Sequence, residues 1–98
     1  MSTVNFIDKL PFHINLNPNE TKEFYFRENI KNLIIPLESK DNIKVLIKLD
    51  NSYGERLEIN YDSNNKKEDI SINRKRYNRF TITNIGNSKE LFILKELT

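Results

Sequence analysis

The most constraining feature of this chain is a period of two. Apolar and polar residues alternate through most of the sequence, which places side chains of one kind on one face of an extended backbone. The clearest case is residues 43 to 49 (IKVLIKL), where Ile43, Val45, Ile47 and Leu49 share one face and Lys44, Leu46 and Lys48 the other. Phe12, Ile14 and Leu16 alternate in the same way with His13 and Asn15. Asn17-Pro18-Asn19-Glu20 supplies a turn, and Phe24 and Phe26 resume the pattern, which reads as a first hairpin.

Asp50 to Gly54 is a turn by residue type, and Leu57, Ile59 and Tyr61 alternate after it to give a second hairpin. Beyond the polar loop Asp62 to Glu68, Ile70 and Ile72 mark a short strand and Phe80 and Ile82 another. The turn Asn84 to Ser88 leads into a last strand, Glu90 to Leu97. Arg27 to Ile34 is ambiguous, because Ile30, Leu33 and Ile34 also satisfy helical spacing. Pro36 biases its neighbourhood toward extended backbone, so Leu33 to Leu37 reads as a strand, with one helical turn before it as the alternative.

About eight short antiparallel strands therefore occupy a single domain of 98 residues. With no segment suited to a crossover helix, the expected fold is an all-β sandwich, jelly-roll or Ig-like, with a small β-barrel as the alternative. Composition supports this, because alanine, the best helix former, is absent while isoleucine, phenylalanine and tyrosine supply much of the apolar content. The predicted inner faces are Phe12, Ile14, Leu16, Phe24, Phe26, Leu33, Ile35, Val45, Ile47, Leu57, Ile59, Ile70, Ile72, Phe80 and Ile82, with Phe92 or Leu91.

Most catalytic chemistries lack their residues. There is no cysteine, so thiolate zinc sites, iron–sulfur clusters, disulfides and cysteine nucleophiles are excluded. The single histidine, His13, lies between Phe12 and Ile14 and faces away from the core without partners for base or metal chemistry. Gly54 and Gly86, the only glycines, cannot form a phosphate cradle. The carboxylates intersperse with Lys and Arg as on a solvated face, and the loops at 50–55 and 62–69 do not match a calcium-loop spacing. No catalytic residue, cofactor, metal or small-molecule substrate is expected. Residues 1–16 carry Asp8, Pro11 and His13 in place of a signal peptide's apolar run, so synthesis in the cytoplasm is expected. The longest apolar run, Leu91 to Leu94, is far short of the roughly 20 residues that cross a bilayer, so no membrane partner is expected.

Two features point to partners. The strands Leu33 to Leu37 (LIIPL) and Leu91 to Leu94 (LFIL) are apolar on both faces, and a sandwich core covers only one. Leu91, Phe92, Ile93, Leu94 and Ile34 are therefore candidate interface residues. A terminal strand is also often a sheet edge, open to strand addition. The expectation is a non-enzymatic structural or protein-interaction module, such as an accessory subunit of a phage particle, engaging a protein partner or itself. The second feature is charge. Residues 1–62 hold eight Lys/Arg against ten Asp/Glu, and residues 63–98 eight against four. Arg74, Lys75, Arg76, Tyr77 and Arg79 concentrate that excess with an aromatic interleaved, the pattern that holds single-stranded nucleic acid. A hairpin tip between strands ending near Asn73 and beginning near Arg79 explains the same residues. The formal net charge of +2 is low for a nucleic-acid binder, which makes that function the alternative. A carbohydrate-binding module is a further rival, weakened by the absence of tryptophan.

Overall fold

Each alternating segment becomes a strand. The computed structural model describes residues 5–97, the Lys75 side chain excepted. Its strands are β1 (Phe6–Ile7), β2 (Phe12–Leu16), β3 (Thr21–Phe26), β4 (Asn32–Ile35), β5 (Lys44–Asp50), β6 (Arg56–Asp62), β7 (Ile70–Asn73), β8 (Arg79–Asn84) and β9 (Glu90–Glu96). On β5, Val45, Ile47 and Leu49 are buried and Lys44 and Lys48 exposed, as the period of two requires. Residues 27–31 form a turn closed by Ile30 N–H donating to Arg27 O at 3.0 Å, and Pro36 stops β4 at Ile35.

The strands form two sheets, ordered β1-β3-β8-β5-β6 and β2-β9-β4-β7. Every consecutive pair except β5 and β6 lies in opposite sheets. This is the winding of a jelly roll, with β1 added parallel to β3 as a fifth strand. The barrel alternative does not hold, because β1, β6, β2 and β7 remain edges. No helix among the described residues is long and apolar enough to cross a membrane.

That winding overturns three expectations. β2 and β3 are not a hairpin: β2 pairs with β9 and β3 with β8. Two strands on facing sheets bury the same alternate positions as two strands side by side, so alternation alone does not distinguish them. The connection from β7 to β8 is likewise no hairpin tip, but a 3₁₀ turn at Arg74–Arg76 that carries the chain between sheets. And β9 is not an edge, since it lies between β2 and β4. The β5–β6 hairpin does form, in register from Lys44 opposite Asp62 to Asp50 opposite Arg56.

The core holds Phe80 and Phe92, both fully buried, among Ile14, Leu16, Leu33, Ile35, Val45, Ile47, Ile72 and Ile82. Phe24 makes an edge contact with Phe12 at 5.3 Å between centroids and stacks on Phe80 at 6.3 Å. Phe12 and Ile59 are only half-buried, and Leu57 is 39% exposed. The reason is position. β6 is the outermost strand of its sheet, and β7, outermost in the facing sheet, has four residues against seven, so cover runs out from Tyr61 toward Leu57.

Candidate interaction surfaces

Strand register places the doubly apolar strands. His13 lies opposite Ile93, Asn15 opposite Leu91, and Ile34 between Lys95 and Ser71. Leu91, Ile93 and Ile34 therefore share the outer face of the four-stranded sheet, while Phe92 and Leu94 point inward and are fully buried. Of the five candidate interface residues only Leu91, Ile93 and Ile34 reach the surface, because Phe92 and Leu94 are core. Leu91 is 37% exposed, and Ile93 and Ile34 are half-buried. Lys40, which the sequence did not single out, reaches this face and donates from Nζ to Leu91 O at 3.1 Å. His13 lies exposed on the same face, and among the described residues no three His, Cys, Asp or Glu side chains are grouped to hold a metal.

The basic segment is dispersed. Arg74 turns inward, donating from Nη2 to Arg27 O at 3.1 Å and Phe26 O at 3.4 Å, while its buried Nε has no partner. Tyr77 is half-buried against the core. Arg76 pairs with Glu55, which also accepts from Asn51 Nδ2 at 3.3 Å. Arg79 forks around Asp50, with Nε to Oδ1 at 2.7 Å, and reaches Glu23 at 3.4 Å. The Lys75 side chain lies outside the described residues.

Register explains the fork. β8 pairs with β5 so that Arg79 stands opposite Asp50 on the outer face of the five-stranded sheet, within reach of a bidentate bond. That bond holds the Asp50 carboxyl below its ordinary range, with partial desolvation opposing it, and raises the Arg79 guanidinium further. Arg76 and then Asn51 lower Glu55 in the same way. Asp50, Glu55 and Glu23 escaped sequence reasoning because they are distant in the chain. Only the pairing of β5 with β8 brings Asp50 to Arg79. Next to this pair, Tyr25 stands opposite Phe6 on β1, their rings 6.0 Å apart, and the Arg27 guanidinium lies 3.7 Å from the Phe6 centroid. At the far end of β7, Lys66 pairs with Glu68 and Lys67 with Asp41.

The hollow lined by Asn42, Lys44, Asn64, Gly86, Asn87 and Ser88 measures about 320 Å³ and has no aromatic wall. A scan against family models, a search of curated proteins and a search of solved structures each found no match to this chain.

Proposed function

We propose that this chain is a non-enzymatic interaction module, an accessory subunit that docks on a larger assembly such as a phage particle through the outer face of its four-stranded sheet. The observation that carries this reading is Leu91, 37% exposed on an interior strand, with Ile93 and Ile34 on the same face. β9 pairs with β2 from Glu90 to Leu94 and with β4 at Lys95 and Glu96. Leu91, Ile93 and Ile34 lie on the outer face of the sheet, so the contact this reading calls for is one between surfaces. The fold adds analogy only, since jelly rolls serve viral capsids, lectins and cupins alike. The nucleic-acid reading has less support, because Arg76 and Arg79 spend their charge on Glu55, Asp50 and Glu23.

The test compares two double variants for stability and, by light scattering, for assembly with the proteins encoded beside it. Leu91→Asp with Ile93→Asp should leave the chain folded and abolish assembly. Phe92→Asp with Leu94→Asp should unfold it, because both side chains are fully buried. Assembly that survives the first pair sinks the proposal.

A further inference from the structure

The chain has a second unpartnered element, at the far edge of the other sheet. β6 is outermost, and its seven residues would span about 24 Å at 3.4 Å each. Ser63 N–H donates to Ile43 O at 2.9 Å and Asn51 N–H to Glu55 O at 3.2 Å, extending the β5–β6 ladder at both ends. Because bonded and non-bonded pairs alternate in an antiparallel ladder, the odd-numbered residues of β6 bond to β5. Arg56, Glu58 and Asn60 therefore turn their N–H and C=O groups outward, whereas the Asp62 carbonyl already accepts from Asn65 N–H at 3.1 Å and Lys66 N–H at 3.2 Å. The side chains of Arg56, Glu58, Asn60 and Asp62 form the charged outer row, and Leu57, Ile59 and Tyr61 form the row whose cover fails toward Leu57.

Charges on an edge strand ordinarily discourage pairing. Here their order does the opposite for one partner. We propose that β6 pairs antiparallel with β6 of a second copy of this chain, about a two-fold axis through Ile59. In that register each Arg56 faces the other copy's Asp62, each Glu58 faces Asn60, each Leu57 faces Tyr61, and Ile59 faces itself. The outward N–H and C=O groups of Glu58 and Asn60 meet as bonded pairs. Ile59 falls at a non-bonded position, where side chains approach most closely. Arg56 makes no ion pair within its own chain among the described residues. Asp62 Oδ1 accepts from Asn64 N–H at 2.9 Å, which leaves Oδ2 for the second copy.

Neighbouring registers fail on charge. An axis at Glu58 sets Glu58 against itself, and an axis at Asn60 sets each Glu58 against Asp62. An axis at Leu57 matches Arg56 to Glu58 but runs into the turn at Gly54, whose φ of 86° is not that of a strand. The Ile59 axis alone centres the pairing on the strand, and the second copy's strand then runs beside the exposed edge at Leu57 and Ile59. This inference is independent of the docking face on the four-stranded sheet.

Sedimentation or light scattering of the intact chain tests it. The unaltered chain should reach twice the 11.7 kDa of one copy at high concentration. Asn60→Pro removes an outward N–H that a proline on an edge strand can forgo, and should give a folded monomer. Arg56→Glu and Asp62→Arg should each weaken the dimer about tenfold or more, and the double swap should restore it. Should Asn60→Pro not fold, hydrogen exchange on the unaltered chain decides: the Glu58 and Asn60 amides should slow with rising concentration. A chain that stays monomeric at millimolar concentration, a dimer that Asn60→Pro leaves intact, amides indifferent to concentration, or a double swap no tighter than the single swaps overturns the proposal. Leu91→Asp with Ile93→Asp should leave this dimer unchanged, which separates it from the docking reading.

Discussion

The side-chain amide of Asn84 donates to the backbone carbonyl of Leu16 at 3.1 Å, joining the end of β8 in one sheet to the end of β2 in the other. Asn84 is 1% exposed, donates also to Ser88 O at 2.8 Å and accepts from Gly86 N–H at 3.0 Å. Its backbone C=O accepts from Asn19 N–H at 2.6 Å, and its N–H donates to Glu20 O at 3.1 Å. One buried amide thus closes the corner where the chain leaves β2 for β3, the place at which the sequence suggested a hairpin.

Asn84→Leu keeps the number and branching of side-chain heavy atoms and removes these side-chain bonds, leaving Leu16 O without this donor at a buried site. The expected loss is about 1–3 kcal/mol. Urea unfolding measures it, and a change below about 0.5 kcal/mol, the usual size for surface sites, would show the corner to be held otherwise.

Ile47 and Leu57 face the same way on paired strands, yet Ile47 is fully buried and Leu57 is 39% exposed. Ile47→Ala should destabilise by about 2–5 kcal/mol. Leu57→Ala in the monomer should stay within about 0.5 kcal/mol, and equal losses at the two sites would mean that the β6 edge is covered.

Acid should weaken the fold through Asp50 and Glu55. Both carboxyls are lowered on folding from ordinary values of 3.8 and 4.5, so their contribution is present above those values and is lost as pH falls through the folded pKa values. The Glu55 side chain is 40% exposed, which keeps its share modest, while the Asp50 side chain is 24% exposed. Chemical denaturation from neutral pH to below 3.8 should show the decline, and Asp50→Asn with Glu55→Gln should flatten it. An equally steep decline in the double variant would assign it to other carboxylates.

Binding of single-stranded DNA at physiological salt should be weak or absent, because the arginines at 76 and 79 are held by carboxylates and Arg74 by backbone oxygens. Fluorescence polarisation measures this. Tight binding with a log–log salt slope near about −3, lost when Arg74, Arg76 and Arg79 are replaced together, would put the basic segment in place of the docking face.

Much of the candidate docking face can be traced to local sequence. In residues 91–94 the period of two already separates Leu91 and Ile93 from Phe92 and Leu94. Which pair lies inside, and that Ile34 joins the outer one, depends on β4 pairing with β9. The β6 edge was hidden differently, because Leu57 has the pattern of a core residue and is exposed only through its place in the sheet.

The sequence by itself determined eight of the nine strands among the described residues, the β5–β6 hairpin and most of the core, because side-chain alternation and turn residues act over a few positions and need no knowledge of the rest of the chain, whereas the two-residue β1 is too short to show alternation. Only the tertiary structure decided that β2 crosses to the facing sheet, that β9 lies inside and that Arg79 meets Asp50. Those outcomes rest on pairings between residues 29 or more positions apart. Alternation marks which face of a strand is buried and leaves open which strand lies beside it, so the winding follows from how all the apolar faces are buried together.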